Sequence, residues 1–190
     1  FQSEYGKLIP PIVIATIPTG IIGLLYAQFL ESSLEVILPL GATFIVGATV
    51  VYASKLGKED IAYITHSTAL VMGIAQGFAV FPGLSRSGAT VSSSLLLGVK
   101  REKAFKFSFL LSIPAILGDT LVEGYKDRGQ IALSGISSTD VLVGVVIAMI
   151  VGYIAIRIVS KVIATKKFHY FAFYTWLLGA ALIILTLTGH

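Results

Sequence analysis

The 190-residue chain contains no cysteine and few charged residues, and both shortages limit what it can be. The lack of cysteine excludes disulfides and thiolate metal sites, and it leaves the redox compartment undetermined. Charged residues make up only 13% of the chain and hydrophobic residues 55%, with a mean hydropathy of +0.89. Water-soluble globular domains do not have this composition. We therefore interpret the chain as an integral membrane protein with no separate soluble domain.

The excess of positive charge is small. The net charge is +4, and the lysines and arginines form short clusters between apolar runs rather than one basic face. Such clusters are typical of the topology signal that membrane proteins carry in their loops. We therefore expect the membrane, and no nucleic acid, as the partner of this chain.

Six long apolar runs predict the fold class. They cover roughly residues 8–30, 35–54, 61–82, 104–122, 139–159 and 169–188, with a shorter run at 88–99. All predict helices, because the open edges of a sheet cannot be satisfied in lipid. Pro10 and Pro11 suit the first turn of the first helix, and the sequence SSTD at 137–140 offers an N-cap before the fifth run.

The distribution of basic residues predicts that residues 61–99 form a re-entrant hairpin. The run at 88–99 is too short to cross a hydrocarbon core of about 30 Å. If the hairpin enters and leaves on one side, eleven of the 14 basic residues share that side, called side A, and two share the opposite side B. Side A then holds Lys7, Lys55, Lys58, Lys100, Arg101, Lys103, Lys106, Arg157, Lys161, Lys166 and Lys167, and side B holds Lys126 and Arg128. By the positive-inside rule, side A is cytoplasmic.

The expected fold is therefore an all-α polytopic membrane protein with about five transmembrane helices plus one re-entrant helical hairpin. Residues 1–190 form a single membrane domain in this interpretation. Arg86, the remaining basic residue, lies at the tip of the hairpin. Backbone that is not helical is tolerated at that depth only beside protein or a water-filled cavity.

The hairpin tip carries groups that can bind an anion. The sequence FPGLSRSGAT, residues 81–90, ends one helix at Pro82 and Gly83 and begins another near Ser85. The first N–H groups of a helix have no intrahelical partner and attract phosphate. Arg86 adds a permanent charge with a planar fork of donors. Two further hydroxyl donors and a glycine that permits close backbone approach follow: Ser87, Thr90 and Gly88.

A purely structural role for the tip is the alternative. Arg86 can pair with an acidic residue, and the serines can cap the helix. Asp119 and Glu123, four residues apart near the side-B end of a helix, are candidates for that pairing or for a divalent metal. An ordinary helix end that reaches the outer surface is the simpler explanation of both.

The segment 73–115, GIAQGFAVFPGLSRSGATVSSSLLLGVKREKAFKFSFLLSIPA, resembles the second signature region of the undecaprenyl-pyrophosphate phosphatase family. These are membrane enzymes also known from bacitracin resistance. The core motif P-G-x-S-R-S-G-x-T falls on residues 82–90, and the resemblance covers essentially the whole chain as the later part of that fold.

The resemblance implies two inverted repeats, each with a re-entrant hairpin, and an active site where the hairpins meet. It implies that Arg86 binds the pyrophosphate as a catalytic residue together with Ser85. The substrate-binding candidates that it implies are Pro82, Gly83, Ser87, Gly88, Thr90 and, more weakly, Gln76. A divalent metal, Mg²⁺ or Ca²⁺, is also implied, and we expect its ligands outside this sequence.

The first signature of that family, a glutamate-rich segment followed by Ser-Ser-Thr-Gly-His, is not found. Glu31 and Glu35 match its glutamate spacing by letter, but the residues that follow do not, and we interpret the match as accidental. The chain begins at Phe1 without a signal-peptide pattern. We therefore expect that the earlier repeat is absent from these residues. They are then either part of a longer polypeptide or a diverged or truncated homologue that holds only half of the catalytic site.

The function implied by the resemblance is hydrolysis of undecaprenyl, or another polyprenyl, pyrophosphate to the monophosphate. This reaction recycles the lipid carrier of cell-wall or glycan synthesis. The expected location is the plasma membrane, with several crossings and an active site that faces the outer side. A carrier or flippase for an anionic lipid could use the same site without hydrolysis. A homo-oligomer is compatible with the sequence.

Overall fold

The computed structural model describes residues 6–29, 37–126 and 137–188, and it is almost entirely helical. The α-helices in these ranges are α1 (Ile9–Phe29), α2 (Ile37–Ala53), α3 (His66–Phe78), α4 (Arg86–Leu96), α5 (Arg101–Lys126), α6 (Ser138–Ala164) and α7 (Phe171–Leu187). Short 3₁₀ turns occur at Gly6–Leu8, Ser54–Leu56 and Phe168–Tyr170. Among the described residues, extended pairing is limited to one parallel bridge between Ile61 and Val99. The predicted all-α class is confirmed.

Four helical segments are long and apolar enough to cross a membrane: Gly6–Phe29, Arg101–Lys126, Thr139–Ala164 and Phe168–Leu187. A fifth apolar helix, Leu40–Leu56, is shorter. The chain is therefore a polytopic membrane protein. Four of the five predicted crossings correspond to these long segments, and the predicted crossing at 35–54 corresponds to the shorter helix. Glu31, Glu35, Asp127 and Arg128, which the sequence assigns to side B, lie outside the described residues.

Two predicted helix starts are confirmed. Pro10 and Pro11 lie in the first turn of α1, where a missing N–H costs nothing because it would have no intrahelical partner. Ser137 is the N-cap of α6, and its hydroxyl accepts from the backbone N–H of Asp140 at 3.2 Å. The Asp140 carboxylate accepts in return from the backbone N–H of Ser137, which completes a capping box.

Helices α3 and α4 form the predicted re-entrant hairpin. They contain 13 and 11 residues, which gives lengths of about 20 Å and 16 Å. Neither can span a core of about 30 Å. The hairpin begins and ends at the same end of the bundle, because backbone hydrogen bonds join its two ends. The N–H of Ile61 donates to the carbonyl of Gly98 at 2.8 Å, and the carbonyl of Ile61 accepts from the N–H of Lys100 at 2.9 Å.

An ion-pair cluster centred on Glu59 closes this end of the hairpin. The Glu59 carboxylate accepts from Nε of Arg101 at 2.7 Å and lies 3.7 Å from Nζ of Lys166. The cluster joins the start of the hairpin, the start of α5 and the turn between α6 and α7. Each of these segments carries basic residues that the sequence assigns to side A, so these three segments lie together as predicted.

Removal of the Glu59 carboxylate should destabilise the fold. The Glu59 and Arg101 side chains are only 20% and 8% exposed, so Glu59→Ala leaves a largely buried guanidinium without its partner. We expect the free energy of unfolding to fall by about 2–3 kcal/mol. The measurement is thermal unfolding in detergent. Asp60→Ala is the matched control, because Asp60 is exposed and pairs with no described residue. An equal loss in both variants would contradict the role given to Glu59.

Two apolar clusters hold the hairpin between the longer helices. In the first, Ala15 of α1, Met72 of α3 and Phe107 of α5 are fully buried. In the second, Ala48 of α2 and Leu95 of α4 pack with residues of α5, α6 and α7. Helix α3 of the hairpin therefore packs on α1, and helix α4 packs on α2. Both helices of the hairpin also pack against residues of α5.

Candidate functional site

Local sequence determines the shape of the hairpin tip. Helix α3 ends at Phe78, and α4 begins after Ser85, whose hydroxyl accepts from the backbone N–H of Gly88 at 3.1 Å. Between them, Gly83 has a φ of +90°, a conformation that side chains other than glycine rarely adopt. A Cβ atom at this position would also overlap the hydroxyl of Thr43 in α2. Glycine is therefore required here by the turn and by packing.

The tip is anchored to α1 and α2. The ring of Phe81 packs edge-on against Tyr26 of α1, with 5.0 Å between the centroids. From α2, the Thr43 hydroxyl donates to the carbonyl oxygen of Pro82. These contacts fix the position from which α4 and the Arg86 side chain start.

Arg86 retains most of its hydrogen-bonding capacity. The one hydrogen bond from its side chain to a described residue runs from Nη2 to Oδ2 of Asp119 in α5, at 3.1 Å. A guanidinium has five N–H donors, so four remain available to a ligand or water. The backbone N–H groups of Arg86 and Ser87 also have no partner among the described residues. The start of α4 can thus bind an anion.

Both sequence-based interpretations of the tip hold in part. Ser85 caps α4 and Arg86 pairs with an acidic residue, as the structural alternative predicts. The pair is only partly buried, with side chains 34% and 60% exposed, and it occupies one guanidinium N–H. Arg86 can therefore bind an anion while it keeps its contact with Asp119.

A cavity of about 310 Å³ lies between α1, the hairpin tip and α5. Arg86 lines it, together with Asp119, Glu123 and Lys126 of α5. The remaining lining is mostly apolar or small, and comprises Thr16, Thr19, Gly20, Gly23, Leu24, Ala27, Gln76, Val80, Pro114, Ala115, Gly118 and Val122. Small-molecule sites have this size and this combination of apolar walls with a few polar groups.

Gln76 is the second predicted site residue in this cavity. Its side chain is 1% exposed, and Nε2 donates to the carbonyl of Leu111 at 3.4 Å. The Oε1 atom is buried and has no partner among the described residues. A buried acceptor without a donor is costly, so a ligand or water that donates to it would be favoured.

The other predicted site residues do not line the cavity. Ser85 lines a separate cavity of about 200 Å³ between α2, α3 and α4. Thr90 is buried, and its hydroxyl contacts the hydroxyl of Ser108 in α5. A Cβ at Gly88 would lie 2.8 Å from that of Ser85, so this glycine permits the tight first turn of α4. Pro82 and Ser87 are exposed. Their roles in substrate binding stay predictions.

Helix α1 contributes a wall of the cavity that contains none of the predicted site residues. Thr16, Thr19, Gly20 and Gly23 lie along one face of an otherwise apolar helix and line the cavity. Their spacing of three and four residues is that of one helix face, and it was the available signal. Lys126, which the sequence assigns to side B by its charge alone, also lines the cavity.

The described residues do not form a divalent metal site. Asp119 and Glu123 are the carboxylates of the cavity, and the first is paired with Arg86. Within 6–29, 37–126 and 137–188, no group of three or more potential ligands occurs. Mg²⁺ and Ca²⁺ prefer several oxygen ligands, so the residues present do not fit a metal. The expectation that its ligands lie outside this sequence stays a prediction.

Comparison with known proteins identifies the family. A family model described as bacitracin resistance protein BacA matches residues 1–181. An undecaprenyl-diphosphatase of Alkaliphilus metalliredigens is 39% identical over 98% of this chain and 68% of that relative. Undecaprenyl-diphosphatases of Carboxydothermus hydrogenoformans and Methanobrevibacter smithii are both 36% identical over 99% of this chain, which corresponds to 74% and 68% of those relatives. With this match and the P-G-x-S-R-S-G-x-T motif at the tip of its hairpin, the chain belongs to the BacA family.

Proposed function

We propose that this protein hydrolyses undecaprenyl pyrophosphate to undecaprenyl monophosphate and inorganic phosphate. The observation that carries the proposal is Arg86, which lies in the cavity with four donors free of described partners. The names of the relatives, all undecaprenyl-diphosphatases, supply the reaction. They do not support the carrier or flippase alternative.

In this reaction Arg86 binds and stabilises the phosphates. A water oxygen bonds to the terminal phosphorus as the bridging P–O bond breaks, and the water protons pass to the products and solvent. Negative charge on the phosphoryl oxygens is stabilised by donors that are already in place. The guanidinium and the first N–H groups of α4 supply such donors without reorganisation of the backbone. Ser85 and Ser87, at the same helix start, are proposed to assist them.

The lipid tail would leave the cavity between α1 and α5. Gly20 and Gly118 line the cavity on these helices, and a Cβ at either position would meet no atom within 4 Å. The walls there are mainly apolar, and both helices are candidate membrane spans. A prenyl chain could therefore extend into the bilayer while its pyrophosphate stays at Arg86.

The active site is proposed to face the outside of the plasma membrane. Asp119, the partner of Arg86, lies along α5 at about 27 Å from Arg101, given about 1.5 Å of rise per residue. This distance separates the pair from the basic end of the bundle, which the positive-inside rule assigns to the cytoplasm.

Phosphate release in detergent tests the proposed function. Purified protein is incubated with undecaprenyl pyrophosphate in micelles, where no second compartment exists, and inorganic phosphate and the monophosphate are measured. We expect both products in equal amounts. Transport of the intact pyrophosphate in vesicles, without either product in micelles, would favour the carrier instead.

A further inference from the structure

The partner of Arg86 in the cavity is itself an anion. Asp119 accepts one hydrogen bond from Arg86 at 3.1 Å, and its side chain is 60% exposed. Exposed pairs of this kind add little to stability. The fold therefore does not depend on the Asp119 carboxylate. This carboxylate is nevertheless hydrogen-bonded to the Arg86 guanidinium, the group proposed to bind phosphate.

A pyrophosphate in the cavity would have to share Arg86 with Asp119. Both are negatively charged, and two anions on one guanidinium repel each other more strongly in a protein cleft than in bulk water. Binding must then either displace the carboxylate or proceed against its charge. In both cases the interaction between Arg86 and Asp119 reduces the free energy gained on substrate binding.

We propose that Asp119 is an internal competitor that lowers the affinity of the Arg86 site for phosphate groups. Its carboxylate occupies Arg86 in the empty cavity and is displaced by the substrate. A pyrophosphate can succeed because it carries more charge and can bind the planar guanidinium through two N–H groups at once. The proposal rests on the proposed function, since it concerns the affinity of that same site.

The matched control is Glu123, one helical turn further along α5. It is exposed, it lines the same cavity, and it forms no ion pair with a described residue. Glu123→Gln and Asp119→Asn remove the same charge from the same cavity, but only the second changes the contact with Arg86. Comparing the two separates direct competition from the general charge of the cavity.

We expect Asp119→Asn to lower KM for undecaprenyl pyrophosphate about three- to tenfold, with kcat changed less than about twofold. Inhibition by inorganic phosphate should strengthen by a similar factor. Asp119→Ala should behave in the same way, because it also removes the charge. Glu123→Gln should change KM by less than about twofold, in line with the weak effect of a charge outside direct contact. All variants should unfold at nearly the temperature of the unmodified protein.

Three results would overturn the inference. The first is an unchanged or higher KM in Asp119→Asn. The second is a lower kcat in both Asp119→Asn and Asp119→Ala. The third is a decrease of KM in Glu123→Gln as large as that in Asp119→Asn. A higher KM or a lower kcat would mean that Asp119 orients Arg86 instead of competing with the substrate.

Equilibrium dialysis with inorganic pyrophosphate separates this inference from the proposed function. Tighter binding to Asp119→Asn than to the unmodified protein supports the competitor role even if no lipid is hydrolysed. Hydrolysis together with equal binding in both proteins would leave the proposed function intact and reject the competitor.

Discussion

Replacing Arg86 with alanine is expected to reduce phosphate release from undecaprenyl pyrophosphate by about 10³-fold or more. The change removes the one arginine that lines the cavity among the described residues, and with it four donors that have no other partner there. Folding should persist, since the Arg86 side chain is one-third exposed and forms a single ion pair. The measurement is turnover in micelles beside thermal unfolding of the same preparation.

Two further variants sharpen this prediction. Arg86→Lys keeps the charge but loses the planar fork, so activity should stay well below that of the unmodified protein. Arg157→Ala is the control, because Arg157 is exposed on α6 and its guanidinium contacts the Tyr153 hydroxyl at 2.6 Å, outside the cavity. Near-normal turnover of Arg86→Ala would reject the assignment of the site.

Replacing Gly73 with alanine should have the largest effect on folding. A Cβ at Gly73 would lie 2.7 Å from the carbonyl carbon of Ala15, where helices α1 and α3 cross. The obstacle is backbone, so no change of side-chain conformation can relieve it. The crossing also contains a hydrogen bond of 2.9 Å from the Thr19 hydroxyl to the carbonyl of Gly73. We expect a loss of about 3 kcal/mol or more, with little folded protein recovered.

The control for Gly73→Ala is Gly144→Ala in α6. A Cβ at Gly144 would meet no atom within 4 Å. Because alanine is the better helix former, this variant should be neutral or more stable by up to about 1 kcal/mol. Thermal unfolding of both variants in detergent provides the comparison. Similar unfolding temperatures for the two would show that α1 and α3 do not cross as described.

Features that depend on neighbouring residues were predictable from the sequence. The short run at 88–99 and the grouping of basic residues predicted a hairpin with both ends on one side, and the pairing of Ile61 with Gly98 and Lys100 confirms it. The helix start near Ser85 followed from its capping hydroxyl, and the capping box at Ser137 was equally local. Such signals need no knowledge of which helices are neighbours.

Contacts between helices distant in the chain were not predictable in this way. The spacing of Thr16, Thr19, Gly20 and Gly23 marks one face of α1, but the sequence does not show which other helices meet that face to form a cavity. The contact between the Thr90 hydroxyl of α4 and the Ser108 hydroxyl of α5 is likewise not visible in the sequence, because it joins two helices. The choice of Asp119 over Glu123 as the partner of Arg86 depends on how α4 and α5 are aligned.

The central claim is that Arg86 at the hairpin tip holds the pyrophosphate of the lipid. Its most direct test is binding of a polyprenyl diphosphonate, in which a methylene group replaces the bridging oxygen and prevents hydrolysis. The unmodified protein and Arg157→Ala should bind this analogue equally, and Arg86→Ala should bind it about 100-fold more weakly. Equal affinity of Arg86→Ala and the unmodified protein would contradict the account.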